Sequence, residues 1–158
     1  MIKVMFVCHG NICRSPMAEM ILKDMVRKRG IAERFVIASS ATSTEEIWGD
    51  TGSPVYPPAR EMLRRKGIPC ENRHAVQIRK SDYAAYDYII AMEQFNLRNM
   101  RHVIGSDPDG KVFRMLDFTD KPRDVSDPWF SGDFEGAYDD IQRGCTAFLH
   151  YLEERGAL

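Results

Sequence analysis

The chain has 158 residues, of which 44% are hydrophobic and 28% charged. That balance suits one globular domain spanning 1–158 and excludes disordered, collagen-like and low-complexity classes. Lys and Arg number 22 against 23 Asp and Glu, a net charge of −1, so the chain lacks the broad positive field of a nucleic-acid binder, although a local positive pocket stays open.

No apolar run approaches the roughly 20 residues needed to cross a bilayer. The run Val4 to Cys8 is too short for a signal-peptide core. The expectation is a cytoplasmic protein with no membrane attachment. The four cysteines, Cys8, Cys13, Cys70 and Cys145, form no CxxC pair, and only four histidines accompany them. Neither a secreted disulfide framework nor a metal site is expected, and no cofactor is implied.

Ile2 to Val7 reads as a short buried strand. Ser15 followed by Pro16 reads as a helix cap with proline at the first position, and Glu19 falls near the first turn. Apolar residues at helical spacing carry this helix to Gly30. Phe35 to Ala38 is a second strand. Ser39 to Thr51 is polar and reads as a loop, with Trp48 standing out. Pro57 opens a helix that closes at Gly67, and Ser81 to Ala85 forms a short one. Tyr88 to Met92 is a third strand, Glu93 to Arg101 a helix, and Val112 to Leu116 a fourth strand. Asp120 to Gly132 is a loop rich in Asp and Pro. Phe134 to Leu152 is a long helix with one apolar side that includes Cys145. Alternating strands and helices imply a parallel sheet. The expected fold is an α/β three-layer sandwich around four parallel strands in the order 2-1-3-4. Ligands of such sheets bind beyond the carboxyl ends of the strands, which is where Cys8 lies.

The segment Cys8-His9-Gly10-Asn11-Ile12-Cys13-Arg14-Ser15 places five residues between a cysteine and an arginine, at a strand-to-helix junction. That length lets the backbone curl so that its N–H groups converge on one centre, backed by a helix N-terminus, which makes an anion site. Gly10 can supply a positive φ there, and Asn11 tolerates one. Arg14 can grip two oxygens of an oxyanion. Cys8 beneath that field is a candidate thiolate nucleophile, and Ser15 can donate a hydrogen bond to it as it leaves. Cys-x5-Arg-[Ser/Thr] arises by chance in about 1% of chains this long, so the placement at the junction weighs heavily. The bland alternative is a buried structural thiol beside a surface arginine.

The segment Val7 to Pro16 resembles the low-molecular-weight protein tyrosine phosphatase family. The resemblance continues through Asp87-Tyr88-Ile89-Ile90-Ala91-Met92, Asn96-Leu97-Arg98 and Asp127-Pro128-Trp129-Phe130, in order and over essentially the whole chain. It implies hydrolysis of phosphotyrosine through a phosphocysteine on Cys8, with residues Cys8 to Arg14 cradling the phosphoryl group. It implies phosphotyrosine proteins as partners, with a tyrosine kinase as a further candidate, and inorganic phosphate or other oxyanions in the site. Asp127 alone is one acid among several, with Asp117, Asp120 and Asp124 nearby. By resemblance it is the general acid and then the base.

Trp129 and Phe130 are core anchors or a substrate wall on their own terms, and the resemblance makes them the wall of the aryl cleft. Trp48 is a second wall candidate. Ile12 resembles the tyrosine-phosphatase form of the loop, whereas phosphoarginine enzymes carry threonine there. The resemblance also makes Asn11 a loop-shaping residue, with Ser43 as its serine partner. The family's histidine in that network falls near position 73, where this chain has Arg73 and His74. Cys13 is the implied partner of Cys8 in a reversible disulfide. The paired tyrosines that many relatives carry after Asp-Pro are Trp129 and Phe130 here, so a phosphorylation switch is not expected. An arsenate reductase on the same fold, a phosphoarginine phosphatase and a non-catalytic oxyanion-binding module are the rival readings. Isolated Cys70 and Cys145 speak against the first.

Overall fold

The computed structural model describes all 158 residues. Strand β1 (Ile2–Cys8) lies inside the sheet, and Val4 to Cys8 are buried without a break. A strand covered on both faces needs apolar residues at every position rather than at alternate ones. β1 pairs in parallel with β2 (Phe35–Ala41), from Ile2 opposite Phe35 to Cys8 opposite Ala41. Its other edge pairs with β5 (Tyr88–Ala91), which in turn pairs with β6 (Val112–Arg114). The order β2-β1-β5-β6 is the expected arrangement of four parallel strands. The labels skip two because β3 (Ile47–Trp48) and β4 (Thr51–Gly52) form a separate small hairpin.

Helices cover both faces. Val4 and Phe6 point into the larger core, with α1 (Arg14–Lys28), α2 (Pro57–Arg65) and α6 (Phe134–Glu154). Met5, Val7 and Ile89 point the other way, onto Met100 and Ile104 of α4 (Gln94–Ile104). Along α6, Ile141, Cys145, Phe148, Leu149 and Leu152 are fully buried, as the apolar stripe predicts. Gly144 lets α6 come close to the 3-10 turn Met115–Phe118: a Cβ there would lie 2.7 Å from Met115 Cγ. No helix is long and apolar enough to cross a membrane.

Several boundaries differ from the sequence expectation. Ser15 is not the cap of α1. The helix already begins at Arg14, and Cys13 sits at the cap position without a side-chain bond. Glu19 likewise does not serve the first turn; it is buried and paired elsewhere. β2 runs on to Ala41, and the hairpin occupies part of the expected loop. β6 stops at Arg114 and gives way to the 3-10 turn. Two short helices complete the chain, α3 (Asp82–Ala85) and α5 (Pro128–Ser131), the second inside the expected Asp/Pro-rich loop.

Candidate active site

The loop from Cys8 to Cys13 leaves the carboxyl end of β1 and enters α1. Its one left-handed residue is Asn11, at φ 58°, and Gly10 has no positive φ. A Cβ at Gly10 would lie 3.2 Å from Glu46 Cγ, a tight contact that a small shift of that side chain can relieve. The turn at Asn11 brings its backbone N–H to 3.3 Å from Cys8 Sγ. Ser15 Oγ lies 3.0 Å from the same sulfur.

The Asn11 side chain is fully tied. Its Oδ1 accepts from Arg73 Nη2 at 2.8 Å and from the Val76 N–H at 3.1 Å. Two donors on one oxygen fix which end of the amide points where. Nδ2 therefore donates to Ser15 Oγ at 2.8 Å and to Ser39 Oγ at 3.0 Å. The Ser39 hydroxyl in turn donates to Glu19 Oε1 at 2.6 Å. The Ser15 hydroxyl accepts from Asn11 and keeps its own hydrogen, so it can donate to Cys8 Sγ when that sulfur is a thiolate.

The serine partner of Asn11 is therefore Ser39, not Ser43. Ser43 lies past the end of β2, and its hydroxyl accepts from the Glu45 N–H. Taking β2 to end at Ala38 had left Ser39 outside the strand. Of Arg73 and His74, it is Arg73 whose side chain joins this network, with Glu19 3.6 Å from its Nε.

Arg14 is 2% exposed. Its Nη1 donates to Val125 O at 2.8 Å, and its Nη2 lies 3.0 Å from Glu93 Oε1 and 3.3 Å from Asp127 Oδ2. Burial works against its charge, yet Cys8, Glu93 and Asp127 outweigh that cost and hold the guanidinium above its ordinary pKa. Asp127 caps α5, accepting from the Trp129 N–H at 3.0 Å through Oδ1. Its other oxygen stays turned to Arg14. Glu93 had no sequence signal beyond its place after strand β5. Asn96 holds it in a reciprocal cap of α4.

Cys8, Arg14 and Asp127 line a cavity of about 260 Å³. Ile12, Trp129 and Phe130 contribute its apolar surface, with the Trp129 ring 4.8 Å from that of Tyr56. Trp48 does not line it. It stands on β3, 71% exposed, with its Nε1 3.4 Å from Ser53 Oγ. Two carboxylates that the sequence reading passed over, Glu45 and Glu46, take part of that wall. His9 pairs with Glu45 at 3.0 Å across Nε2. Cys8 and Cys13 are both buried and unbonded to any sulfur, and burial pushes the Cys13 thiol far up. His74 joins the small bridge to Pro54 through its backbone. Cys70 is half-buried and Cys145 fully buried, both remote from the cavity.

A sulfur that meets the Asn11 N–H and the Ser15 hydroxyl, a buried guanidinium and a carboxyl beside it suit transfer of a phosphoryl group. Comparison with known proteins agrees. The family model for low molecular weight phosphotyrosine protein phosphatase matches residues 3–157. The chain is 36% identical over 160 residues to the low molecular weight protein-tyrosine-phosphatase YfkJ of Bacillus subtilis, covering 100% of both chains. The crystal structure of YfkJ superposes with a TM-score of 0.90 over 98% of this chain and 96% of that one. PtpA of Staphylococcus epidermidis is 35% identical over 96% of this chain and 94% of its own. A Drosophila arginine phosphatase is also similar, with TM-score 0.81 and 29% identity over 95% of this chain and 97% of that one. The chain belongs to the low molecular weight phosphotyrosine protein phosphatase family.

Proposed function

We propose that residues 1–158 act as one catalytic domain that hydrolyses phosphotyrosine in proteins by two in-line displacements. The observation that carries this reading is the convergence of Cys8 Sγ, Ser15 Oγ, Arg14 and Asp127 on one pocket. The Cys8 thiolate attacks phosphorus and the P–O bond to the tyrosine breaks. Asp127 delivers its proton to the departing phenolate oxygen. Asp127, now a carboxylate, takes a proton from water as that water attacks the phosphocysteine. The P–S bond then breaks, and inorganic phosphate and the thiolate are released. Ser15 donates a hydrogen bond to the sulfur as it leaves as a thiolate in that second step, and Arg14 meets the negative charge on the equatorial oxygens.

Ile12 within the loop, with Trp129 and Phe130 of the same cavity, shapes the slot for an aryl ring. The free Cys8 and Cys13 thiols suit a reducing cytoplasm, where Cys13 would protect Cys8 through a reversible disulfide. A tyrosine kinase would supply the substrates.

The test is turnover of p-nitrophenyl phosphate, a phosphotyrosine peptide and phosphoarginine with EDTA present, for wild type, Cys8→Ser and Asp127→Ala. Phosphotyrosine turnover abolished in Cys8→Ser and slowed about 10²–10⁴-fold in Asp127→Ala is the expected result. Turnover mainly of phosphoarginine would overturn the substrate and keep the mechanism. No turnover at all would return the weight to arsenate reduction or oxyanion binding.

A further inference from the structure

Carboxylates in the wall of a phosphate pocket repel the group the pocket must hold, unless something positive arrives with it. Among the charged residues lining this cavity, Glu45, Glu46 and Asp127 are acidic and Arg14 is the basic one besides His9. Arg14 is already answered by Glu93 and Asp127, and His9 by Glu45. Glu46 is thus left facing the pocket with no cation of its own.

Its position is built. Glu46 Cγ lies against Gly10 so closely that a Cβ there would meet it at 3.2 Å. Its Oε2 accepts from Ser53 Oγ at 2.8 Å, and its carbonyl accepts from the Ser53 N–H at 2.7 Å. Trp48, the second residue of β3, is two residues further on, and its Nε1 reaches the same Ser53 Oγ at 3.4 Å. The indole is therefore tethered by its edge while its ring stays 71% exposed. One serine holds a carboxylate and an open aromatic face together. An ammonium or guanidinium group satisfies both, by charge at the carboxylate and by cation–π attraction over the ring. The hairpin that carries them is pinned in turn, because a Cβ on Gly52 would meet Ala75 O at 1.9 Å.

We propose that Glu45, Glu46 and Trp48 form a cation-accepting rim, which takes a Lys or Arg side chain next to the phosphotyrosine of the substrate. The proposal rests on the phosphotyrosine reading above and deepens it: the preferred substrates carry the phosphotyrosine in a basic sequence context. The glutamates select by charge and Trp48 by its face, while Cys8, Arg14 and Asp127 do the chemistry on any ester that enters.

The experiment uses phosphotyrosine peptides identical except for Arg, Ala or Glu beside the phosphotyrosine. Their kcat/KM is measured at low and high salt for wild type, Glu45→Gln/Glu46→Gln and Trp48→Ala. p-Nitrophenyl phosphate, which has no flank, is the reference. The expected Arg-to-Glu ratio in wild type is about tenfold or more at low salt, falling toward one at high salt. It falls toward one also in the double glutamine variant, whose amide at position 46 can still accept from Ser53. Trp48→Ala lowers the Arg peptide several-fold and leaves the Glu peptide near its wild-type value. A wild-type ratio near one or below, with the Ala peptide and p-nitrophenyl phosphate turned over, overturns the rim. Turnover of p-nitrophenyl phosphate with none of any phosphotyrosine peptide overturns the substrate reading and the rim together.

Discussion

Asn11→Gly removes a side chain with four hydrogen bonds while leaving the φ of 58° to a residue that adopts it freely. At about 1 kcal/mol each, those bonds sum to roughly 4 kcal/mol, an upper bound because water entering the vacated space satisfies part of what is lost. Arg73 and Ser39, both largely buried, lose a partner, which keeps the cost from vanishing. The expected loss is about 2–4 kcal/mol. At roughly 2–4 °C per kcal/mol for a domain of this size, Tm should fall by about 5–15 °C. Asn11→Ala loses the same bonds and adds a Cβ in the left-handed region, at roughly 1–2 kcal/mol, partly offset by the smaller chain entropy of alanine. It should be the less stable of the two. Asn11→Asp keeps the acceptor for Arg73 and Val76 but cannot donate to Ser15 or Ser39. It should hurt kcat more than it hurts folding. Urea unfolding followed through Trp48 and Trp129 fluorescence, beside kcat on p-nitrophenyl phosphate, reads all three. A Gly variant within 1 kcal/mol of wild type, or an Ala variant more stable than the Gly one, would refute the account of the loop.

Asp127→Asn should lower kcat about 10²–10⁴-fold on esters with poor leaving groups, and less on p-nitrophenyl phosphate, whose leaving group needs little protonation. Equal losses on both would show that Asp127 is not the acid. Wild type should give a bell-shaped pH profile, since one group must be protonated and the other ionised; a rate still rising at pH 8 would contradict these roles. Burial pushes the Cys145 thiol up from its ordinary value of 9.0. Above that pH the unfolded chain releases a proton that the folded chain keeps, so stability falls as pH rises, by about 1.4 kcal/mol per pH unit for one such group. The stability gap between wild type and Cys145→Ala should therefore narrow above pH 9, and a gap independent of pH would show that the thiol titrates freely. Gly52→Ala should cost about 1–3 kcal/mol, because its Cβ meets the backbone of Ala75 rather than a flexible side chain. A normal thermal midpoint for that variant would mean that the hairpin can shift away.

What the sequence made legible is what is local. Cys8 to Ser15 carries its own geometry: a strand that must end, a helix that must start, and a residue at position 11 that accepts positive φ. The layer order followed from alternating strands and helices. The partners of that loop were not legible, because they come from distant segments. Ser39 and Ser40 look like loop residues. They are buried in β2 because one hydroxyl finds Asn11 and Glu19, and the other Met5 Sδ. Glu93 and Arg73 meet the loop only through the tertiary fold. Trp48 was misplaced for a related reason. Nothing in its neighbours showed that a hairpin there turns Glu46 into the pocket and carries the indole outside it.

Cys8 and Asp127, the proposed catalytic pair, lie far apart along the chain, and this bears on how the protein is made. Synthesis delivers β1, the anion loop and α1 first, while the β5 edge of β1, Glu93, Val125 and Asp127 come much later. The surface of α1 waits longer still, for α6 to cover it. A nascent chain therefore displays Cys8, the proposed nucleophile, before it owns Asp127, the proposed acid, and before Arg14 has its partners from later in the chain. Turnover belongs to the finished chain. On refolding, recovered activity marks the docking of the C-terminal half and lags behind the return of helix.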